Sequence, residues 1–353
     1  MKRLEIVQLG LGHVGRAVAQ IVLEERKRWL DNGIEVKYRA VSDTTGALSG
    51  EELLPQAIRL KEEGGSLTEL GVEPLEDVLG SEPEPGFTRV VVDVAVHGGT
   101  FDLDLLGIRG GAYLVLSNKG PLSGSTAQYE QLRRMIPDRL WHEATVGAGM
   151  PIISTMDGLL ETGDEILEIQ ASPSGTLGFI MSAVEGGKSF SAAVREAVDL
   201  HYAEPDPRDD LSGLDVARKA IILARMMGRE IEPEEIPFES LVPGGLEAVP
   251  LQEFMLRLPE HDEAFAARLL AVEEHHMLRY LVRIPQSGPV MVGLQDTPVE
   301  SPFGPISGPE NVFDFRTRRY SDVTLTVRGP GAGPERTASG VVWDLLDIAH
   351  KAL

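Results

Sequence analysis

Residues 4–22 carry an order of side chains that few folds can use. Leu4, Ile6, Val7 and Leu9 form a short apolar run, Gly10-Leu11-Gly12-His13-Val14-Gly15 follows at once, and Val14, Ala17, Val18, Ile21 and Val22 recur at helical spacing. This predicts strand, tight turn and helix. Each glycine has a physical reason in such a turn. The first permits the reversal, the second lets a pyrophosphate approach the backbone, and the third packs helix on strand. The phosphates would sit on the helix N-terminus, where unpaired N–H groups and the helix dipole favour an anion. A glycine turn alone can be merely structural. Between a strand and an amphipathic helix it predicts a dinucleotide site formed by Gly10, Leu11, Gly12, His13, Val14 and Gly15.

The charged segment Glu24 to Asp31 extends that helix, and a second strand, Ile34 to Val41, ends at Ser42-Asp43-Thr44. Asp43 is the candidate for the adenosine ribose hydroxyls, with a solvated turn aspartate as the alternative. No arginine follows it directly to receive a 2′-phosphate, which favours NAD over NADP, while Lys37 and Arg39 keep NADP open. Val90 to Val96 is a near-continuous apolar run, as expected for a strand buried on both faces of a parallel sheet, and it stops at His97-Gly98-Gly99-Thr100. A helix-like Leu103 to Ile108, a strand Ala112 to Leu116 and the turn Ser117-Asn118-Lys119-Gly120 come next. Alternating strands and helices indicate a doubly wound α/β sheet, whose ligands gather at the carboxyl ends of the strands. That places the 97–100 loop and Lys119 at one rim. A last strand, Leu140 to Glu143, runs into Ala144-Thr145-Val146-Gly147-Ala148-Gly149-Met150-Pro151. Such backbone can expose carbonyls to a cation or simply turn, and the residues alone favour the turn.

At roughly 150 residues per domain, a chain of 353 residues suggests two domains. After Pro151 the pattern changes to an apolar helix, Ile152 to Leu160, a strand, Ile166 to Ala171, and Ser174-Gly175-Thr176 opening another helix. The densest signal is Glu204 to Lys219, EPDPRDDLSGLDVARK. Pro205 and Pro207 keep its first part out of a helix, while Leu211, Leu214, Ala217, Ile221 and Ile222 recur at helical spacing, so a helix is expected to start near Asp209 or Asp210, either of which could cap it. Asp215 and Lys219 then stand at i and i+4 on one face. A surface ion pair is the plain reading, but eight charges within sixteen residues beside an apolar helix face should be organised around something. Near the end, Asn311 to Thr317 and Val323 to Val327 read as strands, Gly329 to Pro334 as a glycine loop, and Gly340 to Ala352 as a helix.

Composition narrows the chemistry. With 33 basic and 55 acidic side chains the net charge is −22, which repels nucleic acid and anionic membrane surfaces, so an anionic substrate needs locally placed cations. No apolar stretch approaches the roughly 18 residues of a membrane span, and MKRLEIVQLG lacks a secretory signal's apolar region, so a cytoplasmic protein is expected. Cysteine is absent, which excludes disulfides, thiolate metal sites and aldehyde oxidation through a cysteine-bound acyl group. Direct hydride transfer between a cofactor and a carbonyl or alcohol carbon needs no such nucleophile.

Together GLGHVG, SNKG, EATVGAGMP, SGT, EPDPRDDLSGLDVARK and GPGAGPERTASG resemble the homoserine dehydrogenase family over essentially the whole chain. The resemblance implies reversible reduction of L-aspartate 4-semialdehyde to L-homoserine by NADH or NADPH, on the path to threonine and methionine. It implies Lys219 and Lys119 as catalytic lysines with Asp215 holding Lys219. Glu204 and Asp210 would receive the substrate ammonium, and Gly175 and Thr176 would line the substrate pocket. Lys119, Val96, His97 and Gly340 join the glycine loop and Asp43 as cofactor contacts. A monovalent cation, usually sodium, is implied at Glu143, Val146, Ala148 and Met150. The implied architecture is a Rossmann dinucleotide-binding domain over 1–150, to which about 335–353 return, and an α+β catalytic and dimerisation domain with a mixed sheet over 151–334. A homodimer follows, with no regulatory or kinase domain expected beyond Leu353. His201 stands where the family commonly has glycine, and His97-Gly98-Gly99, Arg328 and Pro330 depart from its usual loops. Two rival readings remain: a related Rossmann dehydrogenase acting on another amino-acid-derived carbonyl, and a non-catalytic dinucleotide sensor, which would have no use for Glu204, Asp215 and Lys219 together.

Overall fold

A computed structural model of the chain describes residues 1–96, 99–135 and 138–351. It divides into two compact units, Met1–Ile153 with Gly333–Leu353, and Ser154–Ala332. Among the described residues no helix is long and apolar enough to cross a membrane.

The first unit is built on a six-stranded sheet. β1 (Lys2–Leu9) leads through the glycine turn into α1 (His13–Asp31), then β2 (Ile34–Asp43), β3 (Gly46–Ser49), α2 (Leu54–Glu62), α3 (Leu75–Gly80), β4 (Thr88–Asp93), α4 (Phe101–Arg109), β5 (Tyr113–Leu116), α5 (Gly120–Ser123), α6 (Thr126–Met135) and β6 (Leu140–Trp141). The strand order is β3-β2-β1-β4-β5-β6; β1 pairs parallel with both β2 and β4, and β3 folds back antiparallel on β2. The order reverses between β1 and β4, the switch point where doubly wound sheets bind ligands. Leu4, Ile6, Val90 and Val92 form the sheet's core with Val18 and Val22 of α1 and with Val341, Leu345 and Ile348 of the last helix, Pro334–Lys351.

Three expectations change here. The strand expected to reach Val96 stops at Asp93, because the Asp93 carboxylate takes the N–H of Ala95 (2.9 Å), and Val96 is 82% exposed. The strand expected through Glu143 ends at Trp141; Glu143 lies in a 3₁₀ turn whose first N–H is given to Asp344 Oδ2 (2.9 Å). The last helix begins at Pro334 rather than Gly340, with proline's fixed φ at the first position, so Thr337 and Ala338 are helical.

The second unit holds α7 (Ile153–Glu161, all but its first residue), β7 (Ile166–Ser172), α8 (Gly175–Glu185), α9 (Phe190–Asp199), α10 (Arg208–Leu211), α11 (Leu214–Met226), α12 (Leu251–Arg257), α13 (Asp262–Leu270) and strands β8 (His276–Pro285), β9 (Met291–Pro298), β10 (Glu310–Thr317) and β11 (Leu325–Pro330). The sheet order is β11-β10-β7-β8-β9 with antiparallel neighbours, and a parallel bridge from Phe238 to Val292 makes it mixed at the β9 edge. α8 packs on β8 and β10, and α11 on β8 and β9. Gly329 and Pro330, expected in a loop, close the edge strand β11, a place where proline's missing N–H costs no ladder bond.

β1 and β4 are also joined by a buried ion pair. Arg89 donates to Glu5 Oε1 through Nε (3.1 Å) and Nη2 (2.6 Å), and to the carbonyls of Val78 (3.1 Å) and Ser81 (2.5 Å). Removing one partner strands the other charge, so Arg89→Met should cost about 3–5 kcal/mol. The check is a denaturant midpoint at unchanged m-value; a loss below about 1 kcal/mol would show that the pair is hydrated.

Candidate active site

The glycine turn has the geometry its residues call for. Gly10 has φ +99°, donates to Ser42 O (3.0 Å), and leaves no room for a side chain: an added Cβ would lie 3.0 Å from Ala95 N. A Cβ on Gly15 would lie 2.2 Å from Gly10 O, so the third glycine sets how closely α1 approaches the turn. At Gly12, the residue before α1, a Cβ would meet nothing within 4 Å among the described residues, and the first turn of α1 has no acidic side chain. This open cradle at a helix N-terminus fits a dinucleotide pyrophosphate. Gln8, missed by the sequence reading, holds the turn from beneath. Its Nε2 donates to Gly10 O (2.9 Å) and Gly15 O (3.0 Å), and Tyr38 donates to its Oε1 (2.8 Å). Burial raises the Tyr38 pKa and keeps that donor protonated.

Asp43 ends β2. Burial works against its charge, but bonds from Thr45 N (2.8 Å) and Thr45 Oγ1 (2.5 Å) and the Lys61 ammonium (3.0 Å) more than offset this and leave its pKa below the ordinary value. Lys37, expected near the cofactor, instead pairs with Glu84 and lies over the Phe87 ring. Lys61, on α2, supplies the cation at this position; no spacing rule links it to Asp43.

At the next rim, Lys119 is half-buried and caps α5, with its carbonyl accepting from Ser123 Oγ (2.8 Å). Its neighbour Asn118 is tied to Asp93 (2.9 Å). His97 lies outside the described residues, and Val96 is exposed beside it. Gly340 lies within the last helix, where a Cβ would come 2.9 Å from Ala148 O, so close packing on the 144–150 loop accounts for it. In that loop Gly147 (φ +84°) and Ala148 (φ +57°) are consecutive left-handed residues, and the buried Glu143 carboxylate accepts from Ile153 N (2.8 Å). Glu143 with the carbonyls of Val146, Ala148 and Met150 is an oxygen-only donor set, which suits a hard cation. Among the described residues no cluster of three acidic, histidine or cysteine side chains forms a metal site.

The second unit gathers the Glu204 to Lys219 block. Ser174 caps α8 by accepting from Leu177 N (3.2 Å); a Cβ on Gly175 would lie 2.9 Å from Pro309 O; Thr176 donates to Tyr202 O (2.6 Å). The expected cap at Asp209 or Asp210 does not form. Those residues belong to the single turn α10, Gly213 follows at φ +76°, and α11 starts at Leu214. Glycine is needed there twice over, since a Cβ would also strike the Tyr280 hydroxyl at 2.1 Å. Freed from capping, Asp210 accepts from Glu204 N (2.8 Å) and lies within bonding reach of Thr176. Burial, and then the negative charges of Glu204 and Asp215, outweigh those bonds and raise its pKa.

Lys219 is 7% exposed, and its ammonium is held by Asp215 Oδ2 (2.8 Å) and by Pro173 O (2.6 Å), at the end of β7 beside Ser174 and Gly175. The other charges of the block sort differently. Arg208 grips Asp206 (Nε to Oδ1, 2.9 Å) and reaches Val249 O (2.6 Å), which pins the chain and leaves that pair out of the cluster. His201 has φ +58°, the left-handed conformation that explains why glycine suits this position.

A profile of the homoserine dehydrogenase family matches residues 151–346. A bifunctional aspartokinase/homoserine dehydrogenase 2 of Zea mays is 46% identical over 250 residues, 69% of this chain and 27% of that protein, so the chain spans little more than a quarter of that relative. The homoserine dehydrogenase of Emericella nidulans is 39% identical over 260 residues, 69% of this chain and 71% of that one. Among solved structures, a Candida auris protein of unknown function superposes with TM-score 0.86 at 30% identity, covering 99% of both chains. A hyperthermophilic archaeal homoserine dehydrogenase mutant in complex with NADPH superposes with TM-score 0.76 at 25% identity, covering 99% of this chain and 98% of that one.

The glycine turn makes a separable prediction. Gly12→Ala adds a methyl to open space at an ordinary φ, so thermal stability should hold, while dinucleotide affinity measured by fluorescence titration should drop roughly tenfold, about 1.4 kcal/mol. Unchanged affinity would move the pyrophosphate elsewhere.

Proposed function

This chain belongs to the homoserine dehydrogenase family, and we propose that it interconverts L-aspartate 4-semialdehyde and L-homoserine with a nicotinamide dinucleotide, a step toward threonine and methionine. The observation that carries this reading is the buried Lys219 ammonium, fixed between Asp215 and the Pro173 carbonyl in the same unit as the Glu204, Asp210 and Asp215 carboxylates. A bound nicotinamide supplies or accepts the hydride at the substrate carbon. The chain's own residues do the rest. Lys219 gives a proton to the aldehyde oxygen during reduction, an effect typically worth about 10²–10⁴-fold in rate. Glu204 and Asp210 receive the substrate ammonium, and the positive end of α8, whose first turn has no acidic side chain, suits its carboxylate. Lys119 is the second lysine of the reaction. A non-catalytic sensor would have no use for this pairing of a buried ammonium with a carboxylate cluster.

The glycine turn, Asp43 and Lys119 would hold the cofactor. Asp43 suits the ribose hydroxyls of NAD, and its partner Lys61 suits a 2′-phosphate, so NAD is favoured with NADP also accepted. When bound, sodium at Glu143, Val146, Ala148 and Met150 would brace the turn that α14 (Pro334–Lys351) packs against. A cytoplasmic homodimer completes the proposal.

The direct test is homoserine oxidation followed at the nicotinamide absorbance with NAD and NADP in parallel. Turnover is expected, and Lys219→Ala should lower kcat by about 10²-fold or more while dinucleotide affinity holds. Cofactor binding without homoserine turnover would favour a dehydrogenase with another substrate.

Asp210 adds a pH signature. Its pKa is raised, so acidification neutralises it above the usual carboxylate range and the ammonium loses a partner. The kcat/KM for homoserine should therefore fall on the acid side within that raised range, and Asp210→Asn should abolish the limb. An unchanged acid limb in the variant would remove Asp210 from the substrate site.

A further inference from the structure

Two carboxyl groups lie wholly buried in the first unit and take no part in the chemistry described so far. Asp93 ends β4 and Asp104 lies on α4; each has 0% of its surface exposed. Asp93 is richly served: Ala95 N donates to Oδ1 (2.9 Å), and Thr100 Oγ1 (2.7 Å) and Asn118 Nδ2 (2.9 Å) donate to Oδ2. Among the described residues neither oxygen of Asp104 accepts from any N–H or hydroxyl donor, and the polar group it meets there is the Asp93 carboxyl. A bond between two carboxyls exists only when one carries a proton. Two adjacent buried carboxylates cannot both ionise, and three donors favour the charge on Asp93. The proton therefore belongs on Asp104, whose pKa burial, and then the neighbouring charge, drive well above the ordinary value.

An apolar residue at position 104 would be cheaper to bury than an acid. What the pair provides is orientation. Through Asp93 the turn after β4 is tied to the turn after β5. The Asp93 carbonyl accepts the N–H groups of Ser117 (2.9 Å) and Asn118 (3.2 Å), its carboxylate accepts the Asn118 amide, and Asn118 Oδ1 accepts Gly120 N (2.9 Å). Asn118 Nδ2 also reaches Thr100 Oγ1 (2.9 Å). Lys119 thus stands between two residues anchored, directly or through Asn118, to Asp93.

We infer that the Asp93–Asp104 pair is the positioning device for Lys119: Asp93 locks the Asn118–Gly120 turn, and Asp104 holds Asp93 in place by lending it a proton. This rests on the reading above in which Lys119 acts in the reaction. Asp93→Asn replaces an acceptor with a donor facing donors, and Asn118→Ala cuts the same tie without disturbing the buried charge. Each should lower kcat for homoserine at least tenfold while KM for homoserine stays within twofold, because the substrate clamp belongs to the other unit. Asp104→Asn, whose amide can donate the same bond, should keep kcat within threefold. General destabilisation would lower the apparent kcat only through the folded fraction, so the thermal midpoint is measured alongside and rates are compared per folded enzyme well below each variant's midpoint. If Lys119→Met abolishes turnover while Asp93→Asn and Asn118→Ala keep kcat within twofold of wild type, the inference is overturned and the reading of Lys119 stands. If Lys119→Met turns over normally, both fall. Equal losses in Asp104→Asn and Asp93→Asn would overturn the proton-lending role.

Discussion

A side chain at position 15 would collide with the Gly10 carbonyl oxygen at 2.2 Å, and the first unit depends on that clearance. It lets α1 start almost on top of β1, aims the N-terminus of the helix into the space above Gly12, and brings the turn against the end of β4 at Ala95. Gln8 converts this close approach into a fixed one, because its amide holds the carbonyls of Gly10 and Gly15 together from the sheet side. Gly10 N is committed to Ser42 O and the carbonyls of Gly10 and Gly15 to Gln8, so it is the N-terminus of α1 above Gly12 that is left to face a ligand. The same economy operates at the neighbouring rim, where Asp93 stops its own strand and gathers the turns that follow β4 and β5.

The second unit turns on the burial of one ammonium. A lysine this deep is costly unless its charge is met. The two acceptors that meet it come from different parts of the chain, Asp215 one helical turn away and Pro173 at the end of β7. Each fixes something else in turn. The Asp215 contact needs α11 to begin at Leu214, which needs Gly213 left-handed against Tyr280. The Pro173 contact sets the ammonium beside the entry to α8, where Ser174 and Thr176 organise the first turn. Within the charged block, Arg208 and Asp206 serve the chain trace, while burial, and then the charges of Glu204 and Asp215, raise the pKa of Asp210. Crowded carboxylates near a held ammonium are poorly arranged for stability alone, which is what the amino-acid substrate proposed above would account for.

Much of this was legible along the chain. The order apolar run, glycines and amphipathic repeat dictates strand, turn and helix, because backbone conformation and side-chain periodicity are set within a few residues. The absence of cysteine limits the redox chemistry, and the spacing of Asp215 and Lys219 puts them on one helix face before any fold is known. Partners remote in sequence were not legible. Lys61 rather than Lys37 meets Asp43; Asp104 meets Asp93 from another element; the Pro173 carbonyl meets Lys219 across 46 residues. The position of a strand end was decided the same way, when Asp93 took the N–H that would have carried β4 toward Val96. Local pattern determines what each segment becomes. Tertiary structure decides which charge faces which, because a buried group must take its partner from whatever distant element the packing brings within about 3 Å, and no periodicity encodes that choice.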